Sequence, residues 1–433
     1  MSSLSDQLKR LGVKVGAGEI KAPLPSKRDE FTIEKVLPGR LVETPNGAVY
    51  IVEQVYPWGS PHGAARIGLD ASVENLSRWA GINQIKDLPV ESYAFLDTET
   101  SGLAGGTGTY AFLIGAGRFE HTEAEGLHFH LAQFFMRDPT EEPALLLALE
   151  QFLAPCQALV TFNGKAFDAP LLNTRYTMAG WRSPLPDLAH VDLLHLARKL
   201  WRDSLPSRTL GTLEVQILRT SRTEEEVPGW MIPQMYFDYL RSGDAREMKK
   251  VFYHNAMDVV SLAALLNHTA GMLASPLEAA KNNPTERSSQ EVAALARLFE
   301  DLGDEILAED LYHNSLDEGL TGELFWETTG RLALLHKRRG EYDQAIVLWK
   351  KAATREPLET GGSMLIAISA QVELAKAYEH VLREPAQAIY WTESALALVN
   401  QPTFPRWDRQ NWLAELEHRL ERLKRKSPSP ESP

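Results

Sequence analysis

Residues 93–100 read YAFLDTET. Four apolar residues are followed by acids alternating with threonines, a pattern that suits a β-strand running out of a core. Residues two apart on a strand project to the same side, so Asp97 and Glu99 point together. Two carboxylates on one buried face repel unless a cation lies between them. A hard divalent cation with oxygen ligands suits that need. Taken alone, these eight residues also fit a strand that ends at the surface with two solvated acids.

Working outward, two more β-runs follow, TYAFLIGAGRFE at 109–120 and LHFHLAQFFMRD at 127–138. The three predict an antiparallel meander. EEPALLLALEQFLAP (141–155) has its acids where a helix begins. ALVTFN (158–163) is a short buried strand, and FDAPLLNTRYTMAG (167–180) a helix ended by Gly180. VDLLHLARKLW (191–201), LGTLEVQIL (210–218) and the long run 245–273 are helical. A meander, a helix, a strand and further helices predict an α/β ribonuclease-H-like domain over residues 91–274, a mixed sheet flanked by helices.

On the N-terminal side, residues 1–30 are polar and proline-containing and read as a loose tail without an apolar leader core. Residues 31–90 read as a small β-rich extension, because LVETPNGAVYIVEQVY (41–56) carries a Thr-Pro-Asn-Gly turn between two β-rich runs. His62 follows a Pro-Trp-Gly loop and receives no role.

Beyond 274 the composition changes. ASPLEAAKNNPTER (274–287) reads as a linker, and residues 288–402 as an all-helical repeat. In the second unit small residues fall at Ala333, Ala345 and Ala352, Gly340 and Tyr342 mark a turn, and Pro357 closes the unit. The first unit repeats this spacing with Ala296, Gly303, Ala308, Tyr312 and Ser315. The third does so through Ala375, Ala388 and Ala395, with one extra turn residue. Small residues belong where two helices of a hairpin approach closely. The pattern closely resembles tetratricopeptide repeats, which bind proteins. Residues 403–425 suit a capping helix over the last apolar face, and 426–433 a disordered tail.

The 433-residue chain is too long for one ordinary domain. Its net charge of -13 gives no global attraction to polyanions, so nucleic-acid contact must be local or carried by metal ions. No uninterrupted apolar run is long enough to span a membrane, and no membrane partner is expected. The one cysteine, Cys156, excludes an intrachain disulfide, reads as structural, and fits a cytoplasmic location.

Two further segments carry acids. TFNGKAFD ends in Asp168, whose plain role is a helix N-cap. YHNAMD places His254 and Asp258 four apart, on one helix face. With DxE on the first strand, N-x-x-x-F-D after a later strand, and an aromatic or histidine before a final aspartate, residues 91–270 resemble the DEDD exonucleases in motif order and spacing. Together with the repeats the chain looks most like the bacterial YprB-like proteins. The resemblance implies that Asp97, Glu99, Asp168 and Asp258 ligate two divalent cations, Mg²⁺ or Mn²⁺, for 3′→5′ cleavage of single-stranded DNA or RNA at its 3′ end. It also implies that Thr100 and Leu103 touch the terminal nucleotide and that Asn163 lines the same pocket.

The sequence departs from the family at one point. DEDD enzymes carry a tyrosine four before the last aspartate or a histidine five before; here His254 is four before and Tyr253 five before. Helical facing favours His254 as the base or water-orienting group and Tyr253 as packing. A catalytically inactive ribonuclease-H-like scaffold with functional repeats is the alternative, and a structure-selective endonuclease a third reading. The glycine-rich stretch 102–108 lacks a P-loop ending. Asp192 reads as a helix cap, and Arg198, Lys199 and Arg202 as a solvated face.

Overall fold

The computed structural model describes residues 30–102, 108–223, 226–281, 288–355 and 361–426. The terminal tails assigned to 1–30 and 426–433 lie, except Glu30 and Lys426, outside the described residues, as do Leu103 and Pro357.

Seven strands form one mixed sheet: β1 (Arg40–Thr44), β2 (Gly47–Pro57), β3 (Tyr93–Thr100), β4 (Ala111–Thr122), β5 (Gly126–Phe135), β6 (Ala158–Thr161) and β7 (Ala189–Asp192). Their spatial order is β1-β2-β5-β4-β3-β6-β7. The meander β3-β4-β5 is antiparallel as expected, and β6 joins β3 in parallel through Tyr93↔Ala158 to Phe95↔Val160. The hairpin β1-β2 turns at Pro45-Asn46, with Gly47 at φ 112°, a backbone that suits glycine. It is no separate extension: β2 pairs along its length with β5, from Tyr50↔Phe135 to Pro57↔His128. Pairing between segments so far apart leaves no trace in local periodicity. Strand β7, in AHVD, was not foreseen; four residues give too little alternation to read.

Helices α1 (Glu142–Leu153) and α2 (Asp168–Met178) follow β5 and β6, α3 (Leu193–Trp201) follows β7, and α4 (Ile232–Ser242) and α5 (Met248–Ala274) come after. The core joins Leu96, Phe112 and Ile114 of the sheet to Leu145 and Leu149 of α1, Tyr176 of α2 and Tyr236 of α4. Tyr236 stacks on Phe112 with centroids 3.9 Å apart and donates its hydroxyl to the Met136 carbonyl at 2.9 Å, which satisfies the one polar atom it buries. Among the described residues α5 alone has the length and hydropathy of a membrane span. However, 67% of its most apolar window is buried in the protein itself.

The chain divides into two compact units. Of the described residues, a sheet unit holds those within 30–68, 89–191 and 220–263; a helical unit holds those within 69–88, 192–219 and 264–426. Segments 69–88 and 192–219, grouped from the sequence with the β extension and the α/β domain, thus belong with the helices. Their polar partners show why: Asn75 donates to the Leu273 carbonyl, Lys199 pairs with Asp301, and Asp203 with Arg297.

The helical unit continues with α6 (Ser288–Asp301), α7 (Glu305–Asp317), α8 (Gly322–Arg338), α9 (Tyr342–Thr354), α10 (Gly361–His380), α11 (Pro385–Val399) and α12 (Arg406–Lys426). They stack as hairpins. Ala296, Ala308, Ala333, Ala345, Ala352, Ala375, Ala388 and Ala395 are all fully buried, so these small positions are where helices meet. Gly303 and Gly340 turn the first two hairpins in left-handed conformation, and Arg383 (φ 58°) does so in the third, at the lengthened turn. Leu416 of α12 closes over Met364, Ile368, Val372 and Val399. The stretch read as a linker includes a helix, Pro276–Lys281, because proline at the first helical turn forfeits no hydrogen bond.

Candidate active site

Strand β3 delivers the first two carboxylates. Asp97 lies opposite Gly115 of β4, and a Cβ on Gly115 would come within 2.3 Å of Asn255 Oδ1 and 2.8 Å of Val259 Cγ2. Only glycine lets α5 approach the sheet there, and this approach brings the third segment to the first. Asn255, fully buried, donates from Nδ2 to Asp97 Oδ2 at 3.0 Å and receives the Gln133 amide on its own Oδ1 at 2.9 Å. Gln133 also donates to the Phe252 carbonyl at 2.8 Å. A buried amide relay therefore fixes the Asp97 carboxylate.

The turn after β6 delivers Asp168. Asn163 takes a left-handed conformation (φ 67°), tolerated by asparagine, and its carbonyl accepts from the amides of Ala166 and Phe167. Asp168 is the first residue of α2, not its cap: Phe167 holds the cap position without a side-chain bond. The Asp168 carboxylate instead accepts the Thr98 hydroxyl at 2.5 Å and is 9% exposed. Phe167 thus holds the cap position that the sequence allowed for Asp168, and the Asp168 side chain bonds the strand bearing the other acids.

Helix α5 delivers His254 and Asp258. Ligating atoms of Glu99, His254 and Asp258 all lie within 4.8 Å of one another. His254 Nε2 is 3.9 Å from Glu99 Oε1 and 3.6 Å from Asp258 Oδ2. Its Nδ1 is 2.6 Å from Glu226 Oε1. An ionised carboxylate only accepts, so Nδ1 donates to Glu226, although an Arg222 terminal nitrogen lies 3.2 Å from the same atom, and Nε2 faces the two acids. Tyr253 turns elsewhere: its hydroxyl accepts the Thr223 amide at 2.9 Å.

The charges are crowded. Burial, then the charges of Asp258, Glu99 and Asp168, pushes the Asp97 carboxyl well above its ordinary range against the bond from Asn255. Burial, then Asp258 and Asp168, does the same to Glu99, with Arg222 opposing. All four acids of the three motifs thus share one electrostatic site. A cationic side chain enters it: Arg222 bonds Asp258 with one terminal nitrogen and Glu226, at 3.0 Å, with the other.

Arg222, Glu226, Asn255 and Gln133 were not foreseen. The first two lie in TSRTEEEVPG, which reads as an acidic loop; a polar residue amid LAQFF was the one available signal for Gln133. Of the residues expected at the nucleotide, Thr100 donates its hydroxyl to the Gly102 carbonyl at 2.9 Å, and Asn163 shapes its turn through its backbone. Leu103 lies outside the described residues. Asp192 caps α3 by accepting from the Leu194 amide at 3.1 Å, and Arg202 pairs with Asp203, so these are structural. His62 contacts the Ser261 hydroxyl at 2.8 Å.

The donor set fits a hard divalent cation. The acids are oxygen ligands, and the repulsion that raises Asp97 and Glu99 is what a cation between them would relieve.

Comparison with known proteins agrees with this geometry. Residues 94–270 match the RNase H superfamily, whose members are in general metal-dependent nucleic-acid hydrolases. The chain is 32% identical over 362 residues to the uncharacterized protein YprB of Bacillus subtilis (strain 168), covering 80% of each chain.

Proposed function

The chain belongs to the family of the Bacillus subtilis protein YprB and carries an RNase H superfamily domain; on that footing we propose that it is a 3′→5′ exonuclease acting on single-stranded DNA or RNA. The observation that carries the reading is the convergence of Asp97, Glu99, Asp168 and Asp258 with the Nε2 of His254 beside them. Asp97, Glu99, Asp168 and Asp258 would hold two Mg²⁺ or Mn²⁺ ions, which supply charge neutralisation for the phosphodiester and its leaving 3′ oxygen.

The chain's own residues do the rest. Glu226, bonded to Nδ1, orients His254, and in the neutral ring Nε2 accepts the proton that the attacking water loses. As the bond from that water oxygen to phosphorus forms, the bond from phosphorus to the 3′ oxygen breaks, and a 5′-phosphorylated mononucleotide leaves. Asn255, backed by Gln133, keeps Asp97 oriented through the cycle. The helical unit, with its small residues at tetratricopeptide spacing and its covering helix α12, is assigned a protein-binding role. A single buried cysteine suits a reducing compartment, and we place the protein in the cytoplasm.

One observation favours a scaffold without catalysis: Arg222 already places a cation on Asp258. Incubating the full-length protein with single- and double-stranded DNA and RNA, in Mn²⁺, Mg²⁺ or EDTA, separates the readings. An exonuclease releases a 3′ label as mononucleotide at once and spares a circular strand. An endonuclease opens the circle. A scaffold leaves every substrate intact.

A further inference from the structure

Within the helical unit a second group of side chains has the spacing of metal ligands. Glu309 and His313 are four apart on α7 and share a face. His336 comes from α8. The ligating atoms of the three all lie within 4.8 Å of one another. The amino-acid types differ from those of the sheet unit: two imidazoles and one carboxylate, not four carboxylates.

The hydrogen bonding around His336 is specific. Its ring is buried, and Nδ1 lies 2.6 Å from Glu341 Oε2. Nδ1 must therefore donate, and Nε2 faces Glu309 Oε1, 3.7 Å away; in the neutral ring that a metal requires, its lone pair points there. Arg339 binds the other oxygen of Glu309 and fixes that carboxylate. In this tautomer two acceptors face each other at a distance that a bridging cation would occupy. A carboxylate holding the far nitrogen of a histidine is the usual outer support of a metal-bound imidazole. His313 is exposed, its ring centroid 6.3 Å from that of His336. A pocket of about 490 Å³ opens over the three side chains, bordered also by Asp343 and Gln344. It gives an ion a way in and leaves room for a further ligand.

We propose that Glu309, His313 and His336 form a binding site for a transition-metal ion of the Zn²⁺ type, with Glu341 holding His336 in the ligating tautomer. Mixed imidazole and carboxylate ligands suit Zn²⁺ better than Mg²⁺ or Mn²⁺, which favour oxygen alone. Three protein ligands leave one position facing the pocket, as in zinc sites that take an exchangeable ligand. The ion would also tie α7 to α8 across the junction between two hairpins.

The test uses the full-length chain carrying Asp97→Asn and Asp258→Asn, so that the sheet-unit site is disabled, after chelator treatment and dialysis. Calorimetric titration with Zn²⁺ is expected to show one ion per chain. Adding His313→Ala, an exposed change that spares the core, should weaken binding about 100-fold or more, and Glu341→Gln about 10- to 100-fold, the scale for an outer-support carboxylate. Co²⁺ in place of Zn²⁺ should give a visible absorption band that His313→Ala removes. Circular dichroism of each variant checks its fold. Equal Zn²⁺ affinity with and without His313 overturns the proposal. So does a parent chain that binds no Zn²⁺; His336 is then a protonated bridge between Glu309 and Glu341.

Discussion

The crowded acids of the sheet-unit site and the paired, part-buried acids of the helical unit are held in opposite electrical states. In the helical unit acids are matched by bases: Glu300 with Arg331 and Arg338, Glu373 with Lys337 and Lys376, Glu379 with Arg422 and Lys426. Burial alone would raise Glu373 and Glu379, but the hydrogen bonds from these partners outweigh it and hold both carboxyls below their ordinary range. At the acidic site of the sheet unit burial and mutual repulsion act together, and Asp97 and Glu99 lie above theirs, whereas Glu53 of the same unit is held low by His130 and Arg40. Matched acids are the expected outcome of folding, because an uncompensated buried charge is expensive. Four acids crowded into one site, whose mutual repulsion Arg222 opposes but does not cancel, therefore mark a place kept for function at a cost in stability.

The largest effects are expected at the pair His254 and Tyr253 on α5. His254→Ala should lower turnover by about 100-fold or more, the scale for a general base. Tyr253→Phe should leave it unchanged, because the lost hydroxyl only accepts the Thr223 amide. Single-turnover rates in Mn²⁺ measure both. Loss with Tyr253→Phe and indifference to His254→Ala would reverse the assignment.

Removing charge should act with opposite signs in the two units. In EDTA, Asp97→Asn relieves repulsion and is expected to raise Tm by a few degrees, at roughly 2–4 °C per kcal/mol. Glu379→Gln strands Arg422 and Lys426 and is expected to cost roughly 1–2 kcal/mol, discounted for the exposure of both partners. The pH dependence follows the same signs. The depressed Glu373 and Glu379 contribute stability above the carboxyl range of the unfolded chain, and that contribution is lost as pH falls through their folded values. The raised Asp97 and Glu99 bind protons more readily folded than unfolded, so acidification relieves their cost. Scanning calorimetry that finds both substitutions destabilising would remove the contrast.

The smallest effect concerns Cys156. Burial pushes its thiol up to about 11, so a thiol reagent at pH 8 should label the folded protein slowly and the unfolded protein at once. Rapid labelling of the folded chain would show that the base of α1 opens.

What was legible in the sequence were residues whose local pattern carries their role. YAFLDTET placed two acids on one side of a strand, and His254 and Asp258 shared a helix face by spacing alone. The alanines of the hairpins were equally visible, since helix contact requires small residues at fixed intervals. Illegible were features made by distant approach. Asn255 matters because Gly115 admits α5 to the sheet, and nothing in GAG announces that contact. Arg222 and Glu226 enter the site from a loop without periodicity. The β2-β5 ladder, which makes the hairpin part of the sheet, joins segments about 80 residues apart; loop closure of that length is entropically possible but unmarked in composition.

The central claim is that the crowded acids of the sheet unit form a metal-dependent hydrolytic site. The most direct measurement follows a 5′-end-labelled single strand, DNA and RNA in parallel, with wild-type protein and Asp97→Asn side by side in Mn²⁺. Wild type should shorten the strand stepwise from its 3′ end, EDTA should stop it, and the folded variant should leave the strand whole. Cleavage by Asp97→Asn at the wild-type rate, or a folded wild type inert toward both polymers in Mn²⁺ and Mg²⁺, would contradict that claim.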